Sequence, residues 1–286
     1  MTIRFGPAGQ CGQAKELKIK STLAYLDYLA SLGLTAFEYQ CGRGVNIGED
    51  KARLLGEHAK ELGIELSVHA PYYISLASLE EEKRVKSVDY ILQSGRAVTA
   101  MGGRRIVVHP GGLNGRSREE AALLAAETLA NARRALDEAG LEQVILCPET
   151  MGKISQLGDL DEVLFFCERD ERALPCIDFG HMNARTHGSL AVKADFAALF
   201  DRMETALGEH MRSFHSHFSK IEYSAGGEVR HLTFEDDRFG PDYEPLLELV
   251  VERGYSPVFI CESAGTQSRD ACAMRDYCRS LLPAPS

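Results

Sequence analysis

No run of apolar residues in this sequence approaches the ~20 needed to cross a bilayer, so no membrane-spanning helix is expected. No Cys-x-x-Cys pair occurs either, which removes the thiolate zinc ribbon and the dithiol redox motif. The eight cysteines are spread instead: Cys147, Cys176 and Cys261 lie in apolar runs, and Cys167, Cys272 and Cys278 on expected helices. That pattern fits buried, reduced thiols in a cytoplasmic protein. The start, Met1-Thr-Ile-Arg-Phe-Gly, has no basic flank followed by an apolar core, so a secretory signal is not expected. Phe5-Gly6-Pro7-Ala8-Gly9 has the wrong spacing for a glycine-rich nucleotide fingerprint. A Gly/Ser-rich linker and any break in composition are also missing, so residues 1–286 read as a single domain. Basic residues are in deficit: 32 Lys+Arg against 42 Asp+Glu leave a formal charge of −10. This disfavours polyanion binding across the whole surface but leaves room for a local basic cleft, and divalent cations would cancel several carboxylates.

What the chain does have is a regular alternation of short β-branched runs with amphipathic helical stretches. Extended segments are expected at residues 3–5, 35–40, 64–70, 105–109, 143–147, 174–178, 213–218 and 257–261. Helices are expected at 20–32, 49–62, 80–101, 117–139, 159–172, 194–211, 243–253 and 270–282. Parallel strands joined by helical crossovers follow from such an order, and eight units predict an α/β fold, a closed eight-stranded parallel β/α (TIM) barrel. Two loops after strands stand out for length, 182–193 and 219–242, and the tail from Pro283 has nothing to hold it.

The chemistry gathers where such barrels keep it, at the C-terminal ends of the strands. In residues 174–185 a short apolar run ends at Asp178, Gly180 marks its stop, and His181 follows. Other strand ends deliver His69, His109, Glu149, the pair His215 and His217, and Glu262, and the last long loop adds His231. Only His58 and His210 fall on expected helices, and His187 in a loop. One strand-end histidine is usually a packing residue, but six beside three carboxylates at one rim are not. Imidazole and carboxylate together form the ligand set of zinc and similar divalent ions, and here there are more ligands than one tetrahedral ion uses. Two or three ions are expected, with Glu149 as candidate bridge. Such clusters hydrolyse phosphate esters well, because metals roughly 3.5–4 Å apart activate a hydroxide and stabilise the leaving oxygen.

The order Val68-His-Ala-Pro-Tyr-Tyr, Val107-Val-His-Pro-Gly, Cys147-Pro-Glu-Thr, Ile177-Asp-Phe-Gly-His, His215-x-His, Arg230-His231 and Ile260-Cys-Glu-Ser resembles the endonuclease IV family. These are apurinic/apyrimidinic endonucleases of DNA repair, within the xylose-isomerase-like barrel superfamily. The resemblance implies a phosphodiesterase cutting DNA 5′ to abasic sites with a metal-bound hydroxide. It implies zinc ions, two or three, with manganese as the other choice. One zinc would sit on His69, His109 and Glu149, and a second on Glu149, Asp178, His215 and Glu262. A third would involve His181 and His231. Glu149 and Glu262 would be catalytic, and Tyr72 and Arg230 would contact a substrate of abasic DNA. Where the family has an Asp two residues before the last loop histidine, this chain has Val229, and strict alternation would turn the adjacent Glu228 away.

The alternative is a sugar isomerase or epimerase of the same superfamily, with a single divalent ion on Glu149, Asp178, His215 and Glu262 and two glutamates shuttling a proton. Such enzymes have little use for ligands at His69 and His109. On the same rim, Arg43, Arg116, Arg118, Lys153, Arg185, Lys220, Arg230 and Arg238 form a set able to grip phosphates.

Overall fold

The computed structural model describes residues 2–282. Seven parallel strands come first: β1 (Arg4–Pro7), β2 (Ala36–Gln40), β3 (Glu65–His69), β4 (Arg105–Val108), β5 (Ile145–Pro148), β6 (Cys176–Asp178) and β7 (His215–Phe218). An antiparallel hairpin, β8 (Ile221–Ser224) and β9 (Gly227–His231), precedes the last barrel strand, β10 (Val258–Cys261). Ladders run continuously through β6–β7–β10–β1 and through β2–β3–β4–β5. Single parallel bridges, Ala8 to Glu38 and Glu149 to Cys176, join the two sets on both sides. Backbone hydrogen bonds from Gly9 to Glu38 (2.9 Å) and from Thr150 to Cys176 (3.0 Å) complete the closure. The fold is an α/β TIM barrel.

Around it lie α1 (Gly12–Glu16), α2 (Thr22–Ser31), α3 (Glu49–Glu61), α4 (Glu81–Ala100), α5 (Arg118–Glu138) and α6 (Leu160–Cys167). The ring continues with α7 (Phe179–Arg185), α8 (Lys193–Leu207), a 3-10 turn at Gly208–Ser213, α9 (Glu244–Glu252) and α10 (Gln267–Leu281). Local chemistry sets several boundaries. Ser117 with Glu120 and Asp159 with Glu162 form reciprocal capping boxes that start α5 and α6. Ala121, Ala125, Leu129, Ala132 and Leu136 then make one buried stripe on α5. Gly208, at φ 59°, ends α8 earlier than the sequence pattern suggests. The helix expected to run to residue 172 stops at Cys167. Beyond it, Arg133 holds Asp170 (2.7 Å) and Arg172 holds Asp137 (2.8 Å), which fixes those residues as a turn.

Neither long loop is irregular throughout. The first overlaps α7, because Asp178 caps that helix by accepting from the His181 backbone N–H at 2.7 Å. Gly180 therefore lies inside a helical turn and does not mark a stop. The second loop carries the β8–β9 hairpin. The tail from Pro283 lies outside the described residues.

The strands' period of two sorts their side chains. Leu66, Val68, Ile106, Val108, Leu146 and Phe259 are buried with the apolar faces of the helices. The lumen's lower part is filled by Ala8, Ala36, Val258 and Ile260 on one side and Val107, Cys147, Leu174 and Cys176 on the other. Glu149, Asp178, His217 and Glu262 stand above that plug, and His215, paired with Val258 and Cys176, is level with it.

Candidate metal centre

The lumen-facing register carries from the plug to the rim: Val107 is followed by His109, Cys147 by Glu149, Cys176 by Asp178, and Ile260 by Glu262. Glu149 is the centre. It is fully buried, and four imidazoles converge on it. His217 Nδ1 is 3.1 Å from its Oε1 and His181 Nδ1 3.3 Å, while His109 Nε2 is 3.0 Å from its Oε2 and His69 Nε2 3.3 Å. Burial opposes ionisation of Glu149, but the charges of His217 and His109 outweigh it and hold the carboxyl well below its usual range. The imidazoles respond in kind. Burial alone would lower His69 and His181, yet Glu149 raises the first to about 9, and Asp178 with Glu149 raises the second to about 10.

Second partners fix the rings. His69 Nδ1 donates to the Ala70 carbonyl (2.9 Å), leaving Nε2 towards Glu149. His181 Nδ1 donates to the Thr150 carbonyl (3.0 Å), and His231 Nδ1 meets the Ser219 hydroxyl (2.9 Å). An imidazole tied at one nitrogen presents the other as a metal ligand with its tautomer already chosen. Asp178 spends Oδ1 on the helix cap, whereas its Oδ2 and Oε2 of Glu149 are buried without a hydrogen-bond partner. Asp178 is pushed up by burial and by the neighbouring charges of Glu149 and Glu262. Unpaired buried carboxylate oxygens facing imidazole nitrogens are what a divalent cation satisfies.

Donor atoms gather in three groups at the rim, each within 4.8 Å: His69, Glu149 and His217; Glu149, Asp178, His217 and Glu262, which shares two residues with the first; and, separately, His181, Glu228 and His231, while a fourth group, Cys176, His215 and His217, lies deeper. These donors make a candidate divalent-metal site, and their chemistry fits such an ion. His109 stands beside the first group through Glu149.

Two residues differ from expectation. His215 is not brought to Asp178 and Glu262; its Nε2 is 2.8 Å from Glu38 Oε2, deeper in the lumen, and His217 takes the rim place. Both share a face of β7, and only the upper one reaches Glu149. Glu228 does turn inward, with its Oε2 3.5 Å from His181 Nε2. The reason is a bulge in the hairpin. Tyr223 pairs with Glu228 and Ile221 with His231, so Val229 is the extra residue and the alternation slips by one. Val229 is half exposed. The hairpin also docks on the loop after β5, with Glu228 N–H donating to the Gly152 carbonyl (3.1 Å). A Cβ on Gly152 would lie 2.6 Å from Glu228 Cβ, so only glycine lets the two segments approach this closely.

A cavity of about 290 Å³ opens over the donors, lined by Gln40, His69, Tyr72, His109, Lys153, Gln156, His181, Glu228, His231 and Glu262 among others. Tyr72 is half exposed, with its hydroxyl accepting from Arg43 Nε at 3.1 Å. The remaining rim cations are largely engaged elsewhere. Arg118 and Arg185 donate to carbonyls of the loop after β5, Arg116 to the Ala77 carbonyl, and Lys220 to the Asp236 carbonyl. Arg230 donates to Glu222 on the adjoining strand at 2.7 Å. Sequence reasoning missed Glu38, whose only signal was a carboxylate between Phe37 and Tyr39 in strand β2.

A model of the family described as the xylose isomerase-like TIM barrel matches residues 26–281. An uncharacterized protein of Methanocaldococcus jannaschii is 37% identical over 255 residues, 88% of this chain and 90% of that protein. The probable endonuclease 4 of Mycoplasma pneumoniae is 31% identical over 193 residues, 65% of this chain and 63% of that one. The crystal structure of a D-tagatose 3-epimerase-like protein covers 98% of both chains at a TM-score of 0.72 and 20% identity, a likeness of fold.

Proposed function

This chain belongs to the xylose isomerase-like TIM barrel family, and we propose that it is a phosphodiesterase with more than one divalent ion, acting on abasic DNA. The observation that carries this reading is the number of donors. A single ion on Glu149, Asp178, His217 and Glu262 would leave His69, His109, His181, Glu228 and His231 without a task, although each faces the same cavity or the shared Glu149. The sequence likeness to probable endonuclease 4 supports the same choice.

In this reading His69, His109 and Glu149 would hold one zinc or manganese, and Glu149, Asp178, His217 and Glu262 would hold a second. His181, Glu228 and His231 are ready for a third. Bound divalent ions would supply Lewis-acid activation of water and neutralise charge on the phosphate. The chain's own contribution is orientation. Carbonyl partners hold His69 and His181 in one tautomer, the Ser219 hydroxyl orients His231, Glu149 ties the groups together, and Lys153 puts a cation on the cavity wall. Glu262 lies at the cavity with its side chain 17% exposed, placed to take a proton there. Tyr72 and Arg43 offer an aromatic and cationic edge to the nucleic acid.

A sugar epimerase is the second reading, favoured by the small cavity and by rim arginines already committed to carbonyls. One experiment separates the two: metal analysis of the purified chain together with nicking of a duplex carrying one abasic site. Two or more ions per chain and a cut 5′ to the lesion are expected. A single ion with ketose epimerisation and no nicking reverses the order.

A further inference from the structure

Below the rim, the β2 carboxylate Glu38 is fully buried and belongs to none of the donor groups. Its two oxygens take four donors. Oε1 receives His217 Nε2 at 2.9 Å and Gln40 Nε2 at 3.1 Å; Oε2 receives His215 Nε2 at 2.8 Å and Ser67 Oγ at 3.0 Å. With both oxygens doubly occupied by donors, the group has no position left for a proton of its own. An ionised carboxylate only accepts, so both imidazoles must present Nε2–H to it. For His217 the arrangement leaves Nδ1 as the nitrogen facing the rim, 3.1 Å from Glu149 Oε1.

We infer that Glu38 is a positioning residue that locks His217 in its Nε2–H tautomer and so aims Nδ1 at the ion shared with Glu149, Asp178 and Glu262. The inference rests on reading those residues as a metal centre. His217 differs from its neighbours in needing such a lock. His69 and His181 are tied by main-chain carbonyls, whereas both ring nitrogens of His217 meet carboxylate side chains, Glu38 and Glu149. The carboxylate is itself braced by Ser67 and Gln40 from β3 and β2, so the ring is referred to two strands of the opposite ladder. A carboxylate behind a ligating imidazole also raises the basicity of its free nitrogen.

The test uses the full chain stripped of metal, with zinc alone as the probe. Calorimetric titration of Glu38→Gln should show the affinity of the tightest site weakened about 10- to 100-fold, the usual cost of losing an outer partner of a ligand. Glu38→Asp, which keeps the charge on a shorter arm, should fall between. The wild-type chain gives an independent readout through long-range proton–nitrogen spectra of the histidine rings. His217 should carry hydrogen on Nε2, and its Nδ1 resonance should move on zinc addition. That measurement decides the matter even if Glu38→Gln does not fold. Wild-type affinity in a folded Glu38→Gln, or a zinc-loaded His217 protonated at Nδ1, overturns the inference and leaves the metal centre standing. Failure of the wild-type chain to bind zinc overturns both.

Discussion

At the N-terminal end of the barrel strands, acids meet guanidinium groups; at the mouth of the lumen at the C-terminal end, the central acid Glu149 meets imidazoles. Asp170 takes Arg133 at 2.7 Å, Asp137 takes Arg172 at 2.8 Å, and Glu65 takes Arg4 at 2.8 Å. On the rim, Glu149 has four histidines and no arginine. Arginine keeps its charge under all ordinary conditions, so an arginine pair can only be held or broken. Histidine can lose its proton and offer the lone pair to a metal, so a histidine pair can be exchanged. The unpartnered buried atoms divide in the same way. On the lower side they are guanidinium nitrogens of Arg105 and Arg133, which repel a cation; on the rim they include oxygens of Glu149 and Asp178, which attract one. One end is built for stability and the other for binding.

The sharpest way to break this contrast is at its centre. Glu149→Gln removes the charge shared between donor groups while keeping the shape of the side chain. Near-total loss of nicking is expected, together with loss of at least one bound ion in metal analysis. Glu262→Gln, which alters a ligand and the proton acceptor, should come next in severity. Activity close to wild type in either variant would remove that carboxylate from the centre.

The corresponding change at the other end should do the reverse. Asp170→Ala leaves the mostly buried Arg133 without its counter-charge, and breaking such a pair costs about 3–5 kcal/mol, less here because Asp170 is partly exposed. A lower urea midpoint with unchanged metal content is expected. Loss of metal in that variant would mean the two ends are coupled.

Acidity gives a third handle, through the rim histidines and the lower carboxylates, whose signs are opposite. In the metal-free protein His69 and His181 are raised to about 9 and about 10 from an ordinary value near 6.5. Their contribution to stability is therefore complete below about pH 6.5 and lost as pH climbs through about 9 to 10. Asp137 is lowered by its hydrogen bond with Arg172, so its small contribution is present above the ordinary carboxylate range and lost as pH falls. Zinc should abolish the alkaline loss, because it replaces the protons it displaces. Chemical denaturation across pH, with and without zinc, checks this; an alkaline slope that zinc leaves untouched would detach His69 and His181 from the metal.

Most of the barrel was legible in the sequence because its barrel strands and long helices announce themselves locally, by β-branched density and by period. The rim was legible because position along a strand dictates which end of the barrel a residue reaches. What was hidden depended on partners from elsewhere in the chain. His217 and His215 have the same strand face, the same residue type and the same partner in Glu38, and only Glu149, which His217 Nδ1 reaches at 3.1 Å, separates their roles. Rim arginines looked free because their carbonyl partners lie in the loop after β5. Glu228 looked misdirected because a bulge is a property of the paired hairpin and not of either strand alone.

That bulge yields the smallest predicted effect and the finest test of the rim. By simple alternation Val229→Asp should complete the group with His181 and His231, since Val229 is two residues from His231. The pairing of Tyr223 with Glu228 and of Ile221 with His231 places Val229 outside the repeat, half exposed to solvent. An Asp there would point away from the ion, and a solvated surface substitution usually changes stability by less than about 0.5 kcal/mol. Val229→Asp should therefore leave zinc content, affinity and rate as they are. Glu228→Gln should loosen the most weakly held ion, because His181 and His231 alone fall short of the three protein ligands zinc usually requires. Equilibrium dialysis of the two variants against limiting zinc measures both at once. Tighter binding in Val229→Asp, with no loss in Glu228→Gln, would mean that β9 runs in regular alternation and that Val229 faces the cavity.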